Sequence, residues 1–422
     1  MLLITSLLFC FVSRQLGVMY LVLRVAGYVI DVRRKTIEPE KNPARLLLFF
    51  LFFPAVPMGP VTRYAELSET LYAKHSFDFN RIMRGCTRAL FGCFKKLVIA
   101  DRLAIAVRAL SASPDTCKGA FVLLLMVFYT TQLYADFTGG MDIALGVSQI
   151  IGVRLPENFN RPYSAKTLAE FWQRWHITLG TWFRDYVFYP LSTSTSLAVV
   201  TRMLRASEKE HMTPFRRWLS TRIPVFIPTL VVWFFTGLWH GFGLHFVVWG
   251  LLNGLIILIS REWSLRRNNK AANAFPGGKT SPQDASAPGD FLRVFRTLFI
   301  VASLRLLDCY ESVPLAFAQF ASIASPMDWT AFFTNGLSAI GLSRADYVIC
   351  ALGVLAVYLV SKNGGMTDDE NAAGAKGDFR TRIMRTPYAV RAALFGALLL
   401  ITLVFGVYGP GYDATTFLYA RF

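Results

Sequence analysis

An all-α, polytopic membrane protein is the fold class this sequence predicts, and three observations predict it. The first is composition: 54% of the 422 residues are hydrophobic and 14% aromatic, with a mean hydropathy of +0.41, well above what a soluble domain carries. The second is the length of its apolar runs, several of which approach the ~20 residues a helix needs to cross a bilayer core. The third is the placing of charge. Lys and Arg total 44 against 27 Asp and Glu, a formal net charge of +17. The cations are interleaved with the apolar runs, as the positive-inside bias and an anionic inner leaflet arrange them. A nucleic-acid binder would instead gather them on one soluble face, so no nucleic-acid partner is expected.

Taken in order, Leu2 to Ile30 reads as an apolar opening helix. Met1 to Val12 has no basic leader and no small-residue cleavage site before Arg14, so it reads as a retained helix and not a signal peptide. Leu46 to Gly59, with Pro54 and Pro57, and Cys86 to Leu110, with Lys95, Lys96 and Arg102, are too short or too charged for simple spans. Ala120 to Tyr134, Ile223 to Trp239, Phe242 to Ser260, Tyr347 to Val360 and Val390 to Tyr408 are the remaining apolar segments. Broken or re-entrant helices survive in lipid only where protein or a water-filled cavity covers them. The expectation is therefore a single membrane domain over residues 1–422 of about eight to eleven helices, some short, tilted or re-entrant, enclosing a cavity. Residues 268–290, rich in Ala, Gly, Pro and Ser, and 361–377, with Gly-Gly and an acidic run, read as extramembrane loops.

Several chemistries find no support. The six cysteines (Cys10, Cys86, Cys93, Cys117, Cys309 and Cys350) have neither zinc-ligand spacing nor a disulfide framework. There is no phosphate-binding Gly-x-x-x-x-Gly-Lys and no Gly-x-Ser-x-Gly nucleophile elbow.

Two histidines stand out because both lie among tryptophans. From Leu168 to Tyr186 the bulky apolar residues recur every three or four positions, one stripe of a helix suited to an interface. His176 falls at the rim of that stripe, one turn before Gly180, which leaves space beside the imidazole. The same pattern also suits an interfacial ring serving as Trp and Tyr do. Ile223 to Ser260 is flanked by Arg202, Arg205, Lys209, Arg216, Arg217 and Arg222 on one side and by Arg261, Arg266, Arg267 and Lys270 on the other. If both flanks are cytoplasmic the stretch is a hairpin, and its turn carries His240 deep into the membrane, among Gly237, Gly241 and Gly243. An ionisable group at that depth is a functional-site candidate by default, although a histidine bonded to a backbone carbonyl fits the pattern equally. His245 is ambiguous, and His75 and His211 lie among polar or basic residues as surface groups do. A neutral imidazole in apolar surroundings suits removal of a proton from an alcohol attacking an acyl thioester. Two histidines without a carboxylate at ligand spacing make a poor metal site, so no metal is expected.

Six stretches carry a resemblance: Gly59 to Tyr64, Tyr134 to Asp142, Leu155 to Tyr163, Glu170 to His176, Trp182 to Tyr186, and Trp239-His240-Gly241. Together they resemble the membrane-bound O-acyltransferase family, most of all its bacterial alginate O-acetylation and teichoic-acid D-alanylation branch, in order over roughly residues 20 to 260. The resemblance implies a ring of helices around a central tunnel, His240 as the catalytic residue and His176 as the second site residue. It further implies Trp175, Trp239, Asn158, Asp136, Arg184 and Asp185 as tunnel or substrate residues. The donor would be acetyl-CoA or an acyl-carrier thioester, with no tightly bound cofactor. The acceptor would be a hydroxyl of an extracytoplasmic polysaccharide or a partner acyltransferase, at a bacterial cytoplasmic membrane. Acetyl transfer is the expectation and D-alanyl transfer to teichoic acid its alternative; a membrane transporter or a non-catalytic acyl conduit is the alternative from another class. Family members usually carry further N-terminal spans, so the resemblance implies a shortened N-terminus.

Overall fold

The computed structural model describes residues 18–206, 213–274, 287–324, 329, 332, 340–363, 365 and 379–408. Most of these residues are helical, with no β-strand among them. Within the expected membrane domain, contacts gather into two compact units, Met1–Asn160 with Pro314–Phe422, and Arg161–Val313. Among the described residues, five helices are long and apolar enough to cross a membrane: Ala120–Ile151, Pro214–His240, Leu244–Arg266, Arg344–Lys362 and Tyr388–Phe405. Five expected spans are thereby accounted for. Of the expected opening helix, residues 2–17 lie outside the described residues and the remainder falls in Val18–Arg33.

The first unit begins with α1 (Val18–Arg33), α2 (Pro43–Phe50), α3 (Tyr64–Leu71), α4 (Phe79–Phe94), α5 (Asp101–Ala112) and α6 (Ala120–Ile151). Local sequence sets their starts. The Asn42 side chain accepts from the Ala44 and Arg45 amides ahead of Pro43, and Asp78 does the same for Asn80 and Arg81 at α4. α4 and α6 meet backbone to backbone, for a Cβ at Gly92 would stand 2.5 Å from the Gly139 carbonyl and one at Gly146 2.6 Å from that of Gly85. A π-helical turn, Lys95–Ala100, joins α4 to α5, and its extra width lets two consecutive lysines reach α6. Lys95 Nζ meets Asp142 Oδ2 at 2.7 Å, while Lys96 Nζ bridges Asp101 and Asp136, each at 2.7 Å. Arg88 donates to Asp142 (2.9 Å) and forks onto both oxygens of Glu157 (2.8 and 2.6 Å). Here the structure departs from the expected end of the span at Tyr134. Because its carboxylates are neutralised from α4 and the π turn, α6 runs on to Ile151 and stops at left-handed Gly152. Phe91, Phe94, Val98, Ile99 and Cys350 form part of the adjoining core. Tyr388–Phe405 exposes Leu394, Leu400, Leu403 and Val404, a face suited to lipid.

The second unit comprises α7 (Leu168–Arg174), α8 (Ile177–Phe183), α9 (Tyr189–Ser192), α10 (Thr195–Ala206), α11 (Pro214–His240), α12 (Leu244–Ala274), α13 (Ala287–Leu304) and α14 (Leu306–Cys309). The expected hairpin is present as α11 and α12. Its arms touch near the tip, where a Cβ on Gly237 would lie 2.4 Å from the Phe246 carbonyl and one on Gly250 2.3 Å from that of Trp233. At the open end Glu262 accepts from the Trp218 indole (3.2 Å) and pairs with Arg222 (3.0 Å).

Two expectations need correcting. Helical segments outnumber the eight to eleven anticipated, because π turns and an abrupt break divide stretches whose periodicity is continuous. The loop at 268–290 is narrower, since α12 extends to Ala274 and α13 starts at Ala287; the alanines of 271–274 favour helix over coil. Residues 275–286 lie outside the described residues. Of 361–377, Ser361 and Lys362 close the helix Arg344–Lys362, and 364 and 366–377 lie outside the described residues.

Candidate active site

The segment carrying His176 is not the unbroken helix its periodicity suggests. α7 ends at Trp175, which is extended (φ −110°, ψ 127°), and His176 is left-handed (φ 49°, ψ 51°) before α8 begins. Such a conformation is costly for a residue with a Cβ, although histidine visits it more often than most, and it persists only where packing enforces it. The packing is a stack of rings: Trp175 lies 5.5 Å from Phe171 and 6.2 Å from Tyr163, all nearly parallel. His176 is thereby turned inward from the rim of a stripe to 3% exposure. Its carbonyl accepts from the Gly180 amide (3.1 Å), and a Cβ on Gly180 would meet nothing nearer than the Trp172 carbonyl at 3.9 Å. Burial alone holds the His176 imidazole down at about 3, so it is neutral at physiological pH.

His240 is the last residue of α11, and Gly241 (φ +151°) turns the chain into α12. At 6% exposure, its ring lies edge-on to Trp249 at 4.8 Å and against Phe246 at 6.0 Å. Trp249 belongs to a triad with Trp172 and Trp233 whose centroids are 5.0 to 6.1 Å apart. Asn253 fixes the triad, accepting from the Trp172 indole (3.0 Å) and donating to the Trp249 carbonyl (2.9 Å). Arg305, between α13 and α14, sets its guanidinium over Trp172, Trp175 and Trp249 at 5.7, 5.6 and 5.2 Å. Asp308 accepts from it at 2.7 Å. Both Arg305 and His176 are near enough to His240 to act on it electrostatically.

The structure thus brings His176 and His240 together within one unit. Trp175 and Trp239 are buried beside them in sequence. Arg184 and Asp185 pair with one another in a π turn after α8, at 2.8 Å. Asp136 and Asn158 belong to the first unit, where Lys96 takes Asp136 and the Asn158 amide donates to Met141 Sδ (3.4 Å). His245 is half-buried against Phe246 and within electrostatic reach of Asp308. Sequence reasoning missed Trp249, Asn253, Arg305 and Asp308. The signal for the last two was present: an arginine inside the apolar run Leu298 to Leu307, with an acid three residues on.

Residues 34–203 match the model of the membrane-bound O-acyltransferase family, a span that contains His176. This segment belongs to the membrane-bound O-acyltransferase family. The chain is 31% identical to the probable alginate O-acetylase AlgI of Azotobacter vinelandii, over 81% of this chain and 60% of that protein. It is 29% identical to the teichoic acid D-alanyltransferase of Bacillus subtilis, over 57% of this chain and 58% of that one. With the peptidoglycan O-acetyltransferase of Helicobacter pylori it shares 29% identity over 51% of this chain and 37% of the other. It therefore spans about three-fifths of the length of the alginate O-acetylases it matches. A match over 81% of this chain takes in both histidines and Arg305 wherever it starts.

Proposed function

We propose that this membrane-bound O-acyltransferase relative moves an acyl group, acetyl in the first instance, from a thioester donor to a hydroxyl acceptor, with His240 as general base. The acceptor hydroxyl attacks the thioester carbonyl while His240 takes its proton. A C–O bond forms, the C–S bond breaks, and the departing thiolate recovers the proton from the imidazolium. His176, neutral and within electrostatic reach of His240, orients the acceptor or polarises the carbonyl. The donor is acetyl-CoA or an acyl-carrier thioester, and the acceptor is an extracytoplasmic polysaccharide or a partner acyltransferase, at the cytoplasmic membrane of a bacterium. One observation carries this reading: two buried imidazoles on separate helical elements lie within electrostatic reach of one another, each at a break in its helix. A proton-coupled transporter would call on carboxylates free to titrate, whereas Asp136 and Asp142 are each held by a lysine.

General-base assistance is worth about 10² to 10⁴ in rate, so His240→Ala lowers ester formation by that factor and His176→Ala by about 10². The measurement is ester-linked acetate and ester-linked D-alanine on the envelope of the native host, with membrane insertion followed in parallel. Unchanged ester content with inserted His240→Ala protein would overturn the reading, and D-alanine in place of acetate would reassign the donor.

A further inference from the structure

Among the described residues, Arg305 is a cation whose charge acts on His240, and its position is unusually determined. It is 3% exposed, in a setting where an arginine is retained only with a partner and a purpose. Asp308 supplies the partner at 2.7 Å, with both side chains under 5% exposed. The three indoles beneath the guanidinium come from both histidine segments: Trp175 immediately precedes His176, Trp172 lies in α7, and Trp249 carries the His240 ring on its edge. One planar cation therefore spans the break after α7 and the second arm of the hairpin.

We propose that Arg305, anchored by Asp308, is a positioning residue for acyl transfer: it holds the His176 and His240 segments in register and supplies a fixed positive charge beside them. The inference rests on the acyl-transfer reading. Its chemistry follows from the balance of the step. As the hydroxyl adds, negative charge gathers on the thioester oxygen and then on the leaving sulfur, and a desolvated cation that needs no reorganisation favours that charge. The flat guanidinium stacks on several rings at once, which a lysine ammonium does not do.

Breaking one partner of a buried pair strands the other, so Arg305→Met alone confuses stability with function. The decisive variant is Arg305→Met with Asp308→Asn, in which no charge is left unpaired. The expected result is wild-type amounts of folded, inserted protein with ester formation lowered about 10²-fold, in kcat and with KM for the thioester little changed. Arg305→Lys, which retains charge without the stacking plane, recovers part of that loss. A double variant that folds and transfers at the wild-type rate overturns the inference, as does one in which Arg305→Lys is no better than Arg305→Met/Asp308→Asn. His240→Ala separates the two levels. If it retains full activity the base reading itself fails, whereas an inactive His240→Ala beside a fully active double variant removes only the role of Arg305.

Discussion

At the scale of single residues, the neutral state of His176 has a measurable consequence for stability. Folded, the imidazole titrates at about 3 because burial penalises the cation; unfolded, it titrates near 6.5. The unfolded chain therefore takes the proton first as pH falls. Stability from this residue is complete above about pH 6.5 and declines towards pH 3, by up to about 1.4 kcal/mol per pH unit. Thermal unfolding of detergent-solubilised protein between pH 7 and 4 should show the decline, and His176→Gln should flatten it. Parallel wild-type and variant profiles would show that the ring is not buried neutral. The same residue marks a limit of sequence reading. A left-handed histidine leaves no mark on hydrophobic periodicity, so the stripe from Leu168 to Tyr186 reads as one helix although the backbone breaks within it. That the ring lies among tryptophans was legible; which way it faces was not.

At the scale of elements, the histidine hairpin was the most legible part of the chain. Its basic flanks, its length and Gly241 at the turn are all sequence signals, and α11 and α12 follow them closely. The close crossing of the arms adds a sharper test. A Cβ on Gly237 has a backbone carbonyl at 2.4 Å, and backbone, unlike a long side chain, cannot swing aside. Gly237→Val should therefore cost about 1–3 kcal/mol or more through overpacking and displace the turn that carries His240. Gly180→Ala is the matched control, for its Cβ meets only the Trp172 carbonyl, at 3.9 Å. It should leave stability equal or raised by about 0.4–1 kcal/mol, since the backbone there is ordinary helix. Comparison of melting temperatures and yields in one detergent decides the matter, and equal behaviour of the two variants would contradict the close crossing.

At the scale of the whole molecule, the chain divides its buried charge between two tasks. The second unit gathers histidines and Arg305 around indoles, while the first ties Arg88, Lys95 and Lys96 to Asp101, Asp136, Asp142 and Glu157. The sequence showed those charges but not their pairing. Lys95 and Lys96 marked residues 86–110 as too charged for a span, and Asp136 and Asp142 cut the next span short at Tyr134. Only the folded chain lets each set cancel the other, because the partners other than Asp101, five residues from Lys96, lie 40 or more residues apart and meet near the glycine-lined crossing of α4 and α6. A structural role for this network makes a definite prediction. Asp142→Asn leaves Arg88 with Glu157 but takes from Lys95 its partner at 2.7 Å, and stranding a buried charge costs about 3–5 kcal/mol. Inserted protein should fall sharply, and Lys95→Met combined with Asp142→Asn should restore most of it, since no lone lysine is then left in the core. Ester formed per folded molecule should be the same in all three proteins, because neither histidine belongs to this unit. Equal losses of folded protein in the single and double variants would mean that the ion pair is not what holds α4 against α6.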